Sequence, residues 1–156
     1  MKKVKLLAFT CSSGDKWCTV CPSPRDNERF AEIIEDDFAP WLPGIYPDKQ
    51  ELRILLDGER LFRAPKPKKA FADAHIKVLE DWPPRSPDFN PQENVWAWTE
   101  ARLRKAEPDD EPYDDFVVRL QEVMDTVPSQ MCKNPVMSMH TRMAKVLENK
   151  GGRIKY

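Results

Sequence analysis

The chain begins with two apolar segments that flank a polar turn. Apolar residues dominate from Val4 to Thr10, and the run KWCTVCP over 16–22 follows after Ser13, Gly14 and Asp15. Two strand-like segments around turn-forming residues predict a β-hairpin.

After the hairpin, the apolar residues recur at the spacing of an α-helix. One face of the predicted helix carries Phe30, Ile33, Ile34, Phe38 and Trp41. Either Asp26 or Asn27 is a suitable N-cap for it. Further along, the same reasoning predicts strands near 52–56 and 76–82, and helices near 64–74, 92–106, 114–127 and 134–152.

The predicted order of elements is β-β-α-β-α-β-α-α-α. A hairpin followed by alternating strands and helices indicates an α/β fold, with a mixed sheet flanked by helices and further helices at the C-terminus. With 156 residues, the chain has the length of one domain. We expect the sheet-bearing part at 1–106, an acidic linker at 107–115 and a helical extension of the same domain at 116–156.

Composition narrows the class of protein. The net charge is −1 and the pI is about 6.2, which is not typical of a protein whose main task is to bind nucleic-acid phosphates. No signal peptide or membrane span is evident. Cys18 and Cys21 have the spacing of half a zinc site, but a second pair at such spacing is missing. Buried thiols, a zinc site and disulfides remain open, and buried thiols are favoured.

Two carboxylates stand at positions that suit a metal-binding or catalytic role. Asp57 ends the most apolar predicted strand, and Glu93 begins a helix after a loop stiffened by Pro83, Pro84 and Pro87. Carboxylates placed this way can share divalent cations, and paired cations assist phosphodiester chemistry. The structural alternative is that Asp57 is a turn residue and Glu93 a first-turn helix acid favoured by the helix dipole.

Basic residues flank the same region. Lys66, Lys68 and Arg85 are candidates for contacts with nucleic-acid phosphates. The alternative, which the acidic pI favours, is that they lie on solvated faces.

The segment VLEDWPPRSPDFNPQENVW, together with ILLDG and the tail SMHTRMAKVLENKGGRIKY, resembles the signatures of mariner-type DDE transposases. The resemblance implies an RNase H-like fold and metal-dependent DNA cleavage and strand transfer. It also implies that Asp57 and Glu93 are catalytic and metal-binding residues, with Mg²⁺ or Mn²⁺ as the cofactor. DNA is the implied partner and the nucleus the implied location.

This sequence departs from the family pattern in several places. It shows no counterpart of the family's first strand and first aspartate, nor of its helix-turn-helix modules. Gly58 and Glu59 follow Asp57, and the family's nearby histidine is absent. We therefore expect a transposase-derived domain that is inactive alone and is retained as a structural or interaction module. Its expected partners are proteins of a larger intracellular assembly. That assembly could also belong to an organelle. The alternative is an active DDE piece that another polypeptide completes.

Overall fold

A computed structural model describes residues 4–21, 26–57, 59–80, 89–105 and 108–152. The chain divides into two compact units, one of Met1–Cys21 with Pro87–Tyr156 and the other of Pro22–Ser86. The domain boundaries expected from the sequence stay predictions. None of the helices in the described ranges has the length and apolar character that a membrane span requires.

The first unit begins with the predicted β-hairpin, which the structure confirms. Strand β1 (Leu6–Thr10) pairs antiparallel with β2 (Lys16–Val20). Gly14 in the turn has a φ of 99°, a value that favours glycine. A Cβ atom there would also collide with the Ser129 hydroxyl, which would then have to move.

Helices from the far end of the sequence complete this unit. They are α4 (Gln92–Lys105), α5 (Tyr113–Asp125), α6 (Ser129–Met137) and α7 (Met139–Glu148). Their core consists of Val95, Leu120, Met124, Val127 and Cys132. Leu6 and Ala8 of β1 pack against this cluster, so the hairpin and the C-terminal helices share one apolar core.

The prediction of one helix over 134–152 is wrong, because two helices meet at Ser138. The Ser138 hydroxyl donates to the Pro135 carbonyl at 2.9 Å, and such side-chain bonds compete with regular helical bonding. The expected glycine stop is present, since the Gly151 N–H bonds the Val146 carbonyl at 2.9 Å with φ at 84°. Helix α5 begins at Tyr113 and thus includes the last residues of the acidic segment.

The second unit contains one parallel strand pair and its helices. Its elements are α1 (Asn27–Glu32), a π-helical segment (Ile33–Phe38), α2 (Ala39–Ile45), β3 (Leu52–Ile54), a 3₁₀ turn (Arg60–Arg63), α3 (Pro65–Asp73) and β4 (Ile76–Val78). Strands β3 and β4 pair in parallel, with Leu52 beside Ile76. Asp26 is the N-cap of α1, since its side chain accepts the Arg29 N–H at 2.8 Å.

The π-helical segment was not predicted. The Ala39 N–H bonds the Ile34 carbonyl, one residue further back than in an α-helix. Pro40 follows directly; it has no N–H to donate and its ring crowds the preceding turn, which accounts for the wide turn at this point. The predicted apolar face is nevertheless confirmed, since Ile34 and Phe38 are among its buried residues.

Candidate functional site

Asp57 lies just beyond β3, at the carboxyl end of the parallel pair in the second unit. Its side chain is exposed, and one carboxylate oxygen accepts the Glu59 N–H at 3.0 Å. This bond is typical of an aspartate in a turn. The carboxyl ends of parallel strands are also where α/β folds place functional side chains, so the position suits both interpretations of Asp57.

Glu93 stands in the first turn of α4, in the first unit. The carboxylate is exposed, and the Asn90 side-chain amide approaches it at 3.4 Å. Asn90 also caps the helix start, since its side-chain oxygen accepts the Gln92 N–H at 3.1 Å. The sequence thus builds a fixed helix start that presents Glu93 to solvent.

Both carboxylates have the chemistry that a hard divalent cation requires. Among the residues that the structure describes, neither Asp57 nor Glu93 forms an ion pair, and their oxygens suit Mg²⁺ or Mn²⁺. Within the same described ranges, no group of three or more His, Cys, Asp or Glu side chains is placed to hold a metal ion. The two acids belong to different units, and their roles stay predictions.

The candidate phosphate-binding lysines both lie in exposed ion pairs. Lys66 pairs with Glu28, and Lys68 pairs with Glu80 at 3.3 Å. Exposed pairs of this kind are weak, so they leave the lysines available for exchange with another anion. Arg85 lies outside the described residues. Nucleic-acid contacts by these three residues stay predictions.

Two buried polar residues were missed by the sequence analysis. The Thr99 hydroxyl donates to the Val95 carbonyl at 2.8 Å, which allows a polar residue on the inner face of α4. Arg142, only 4% exposed, lies on α7 and donates to Ser138 and to Asn94, the neighbour of Glu93. A signal was present, because Arg142 falls on the helical spacing between Met139 and Val146, where an apolar side chain would be expected.

The cysteines form no disulfide, and all four lie within the described residues. Cys11 and Cys132 are buried, while Cys18 and Cys21 are half-buried. Burial raises the pKa of the Cys18 thiol, with a further contribution from the Asp125 carboxylate. Burial likewise raises the pKa of Cys132. Both thiols are therefore held in the protonated form, which is a weak nucleophile.

This protonation state predicts slow alkylation. At pH 8 we expect Cys18 and Cys132 of the folded chain to react with iodoacetamide several-fold more slowly than the same residues in urea, because burial and a raised pKa both reduce the accessible thiolate. Peptide mass spectrometry over a time course measures each site. Equal alkylation rates in folded and unfolded protein would contradict the conclusion that these thiols are buried and protonated.

The family follows from comparison with known proteins. Residues 1–112 match the family model described as DDE superfamily endonuclease. This chain therefore belongs to the DDE superfamily endonucleases, as the resemblance in its proline-rich segment predicted.

Individual relatives are transposases. The chain is 27% identical to the transposable element Tcb2 transposase of Caenorhabditis briggsae, over 97% of this chain and 54% of the relative. It is 24% identical to the transposable element Tc3 transposase of Caenorhabditis elegans, over 86% of this chain and 40% of the relative. The chain thus spans about half or less of these curated relatives.

Solved structures of the Mos1 mariner transposase catalytic domain share the fold. One crystal structure superposes with a TM-score of 0.79 at 16% identity, covering 99% of this chain and 77% of that one. Another, of that domain with Raltegravir and Mn, gives 0.80 at 17% identity, covering 99% and 78%. The predicted RNase H-like fold class is confirmed.

Proposed function

We propose that residues 1–156 form a transposase-derived DDE endonuclease domain that binds Mg²⁺ or Mn²⁺ through Asp57 and Glu93. The observation that carries the proposal is the setting of the two acids. Each is exposed next to a regular element, one after the parallel strand β3 and the other in the first turn of α4, and neither is neutralised by an ion pair within the described residues. The metal-bound Mos1 structure of the same fold supports the choice of cation.

The metal would supply Lewis-acid activation of a phosphodiester and of the attacking water or hydroxyl. Asp57 and Glu93 would hold it through carboxylate oxygens. Two carboxylates provide less ligand charge than the three that the family resemblance implies. We therefore propose that the 156 residues alone bind the cation weakly and do not cut DNA, and that catalysis requires a third carboxylate from elsewhere.

The metal part is tested by calorimetric titration of Mn²⁺. We expect Asp57→Asn and Glu93→Gln each to weaken binding at least about tenfold, because each removes one charged ligand. The amide oxygen introduced by Asp57→Asn can still accept the Glu59 N–H, so the turn is preserved. The matched controls are Asp48→Asn, another exposed acid of the second unit, and Glu100→Gln, another exposed acid of α4. Binding that is indifferent to both site variants would contradict the metal site.

A plasmid-nicking assay with Mn²⁺ tests the catalytic part. We expect no nicking by the wild-type chain alone. Nicking that disappears in Asp57→Asn would instead establish an active enzyme.

A role in protein interaction is the second candidate, and a different observation favours it. Met137, Met143 and Leu147, at the C-terminal end of α6 and on α7, are 61%, 41% and 79% exposed. Met143 and Leu147 are four residues apart on α7 and so lie on one face, and neighbouring exposed apolar side chains favour contact with a partner protein. If the wild-type chain binds no Mn²⁺ at all, the metal proposal fails and this second candidate is the one left.

A further inference from the structure

Arg142 is a buried charge in the unit that carries Glu93. Only 4% of its surface is exposed, and it lies on α7 beside the start of α4. A charged group is expensive to bury unless hydrogen-bond acceptors replace the lost water. Two of the acceptors around Arg142, the Ser138 hydroxyl and the Asn94 side-chain oxygen, connect the α6–α7 junction to the start of α4.

The guanidinium is fixed first at the junction of α6 and α7. Its Nε donates to the Ser138 hydroxyl oxygen at 2.8 Å, and that hydroxyl in turn donates to the Pro135 carbonyl at 2.9 Å. Each member of this chain of hydrogen bonds has its donor and acceptor matched. Because the arginine is planar and anchored at one edge, the direction of its other nitrogens is restricted.

From this anchor the guanidinium reaches α4. Its NH2 group lies 3.5 Å from the side-chain oxygen of Asn94, the residue next to Glu93. Consecutive side chains on an α-helix differ in direction by about 100°. A contact with Asn94 on the inner side thus restrains the rotation of the first turn, and with it the direction in which Glu93 points. On the other side, Asn90 approaches the Glu93 carboxylate at 3.4 Å.

We infer that Arg142 is a positioning residue for the Glu93 carboxylate, acting through Asn94. The inference rests on the proposed function, because the direction of Glu93 matters only if that carboxylate binds a cation. Metal ligands lose affinity when the groups that orient them are removed, typically about 10- to 100-fold. Arg142 reaches Glu93 through one intermediate residue, so we expect a loss near the lower end of that range.

A double-mutant cycle on the full chain tests the inference. Mn²⁺ affinity is measured by calorimetry for Arg142→Met with Glu93 present and in a Glu93→Gln background. We expect Arg142→Met to weaken Mn²⁺ binding about tenfold with Glu93 present and to have no further effect in Glu93→Gln. If Arg142 had only a structural role, Arg142→Met would lower the Mn²⁺ affinity by the same factor in both backgrounds.

Two further variants control the experiment. Asn94→Ala removes the receiving amide while leaving the Arg142–Ser138 bond, so it should reproduce the loss even if Arg142→Met does not fold. Arg104→Met makes the same chemical change at an exposed position of α4 and should leave Mn²⁺ affinity unchanged.

The outcomes separate the two proposals. If Glu93→Gln weakens Mn²⁺ binding but neither Arg142→Met nor Asn94→Ala does, the positioning inference is overturned and the metal site stands. Equal losses in the two backgrounds also overturn the inference. If Glu93→Gln has no effect, the positioning role fails, and if Asp57→Asn has none either, the proposed metal function fails as well.

Discussion

Replacing Phe71 with alanine is expected to destabilise the second unit by about 3–5 kcal/mol. Phe71 lies on α3 and has none of its surface exposed. Its ring lies 6.4 Å from that of Phe62, which in turn makes an edge-to-face contact with Phe30 at 4.7 Å. Removing the ring loses apolar burial and leaves a cavity between α1, α3 and the 3₁₀ turn. The surrounding side chains are closely packed and cannot fill that cavity without strain.

Hydrogen exchange followed by mass spectrometry locates this effect. Amides of α1 and α3 should lose protection, and urea unfolding should give the loss in free energy. The control is Leu147→Ala, which removes a side chain that is 79% exposed and should change stability by less than about 0.5 kcal/mol. If Phe71→Ala costs no more than this control, the aromatic cluster is not the core of the unit.

The second large effect concerns the ion pair between Arg119 and Glu111. The pair is bidentate, with distances of 2.6 and 2.8 Å, and the side chains are 17% and 8% exposed. Arg119 also donates to the Leu103 carbonyl at 3.1 Å near the end of α4. Arg119→Met removes both contacts and takes the guanidinium away from a buried carboxylate, so we expect a loss of about 3–5 kcal/mol.

An exposed pair in the same unit provides the matched control. Arg104 and Glu100 lie 2.6 Å apart on α4, with side chains 63% and 53% exposed. Arg104→Met should cost less than about 1 kcal/mol, because solvent already screens that pair. The double variant Glu111→Met/Arg119→Met should recover part of the loss, since it removes the buried carboxylate together with its guanidinium. Urea unfolding measures all three, and equal costs for the two arginine variants would contradict the role of burial.

The sequence predicted those parts of the structure that depend on residues close together in the chain. The turn at Ser13–Asp15 predicted the hairpin, and Asp26 or Asn27 predicted the start of the first helix, where the structure has Asp26 as the N-cap. Both depend on hydrogen bonds between residues a few positions apart. The proline-rich segment led to the family by its fixed spacing alone, although part of it, 81–88, lies outside the described residues.

Other features could not be predicted in this way. At the break between α6 and α7 the Ser138 hydroxyl bonds a carbonyl three residues back, and such bonds leave no periodic pattern in the sequence. By residue type Arg142 would be expected at the surface, but in the folded chain it is buried, and Ser138 and Asn94 are among its hydrogen-bond acceptors.

The sequence by itself determined the local elements, the apolar faces and the family of this protein. Only the tertiary structure decided that β1 and β2 share a core with α4 and α6, although residues 22–86 separate them in sequence, and that Asp57 and Glu93 belong to different units. The physical reason is the range of the interactions. Turns, caps and helical periods depend on near neighbours, whereas the burial of Arg142 and the composition of each core depend on residues that meet only when the chain has folded.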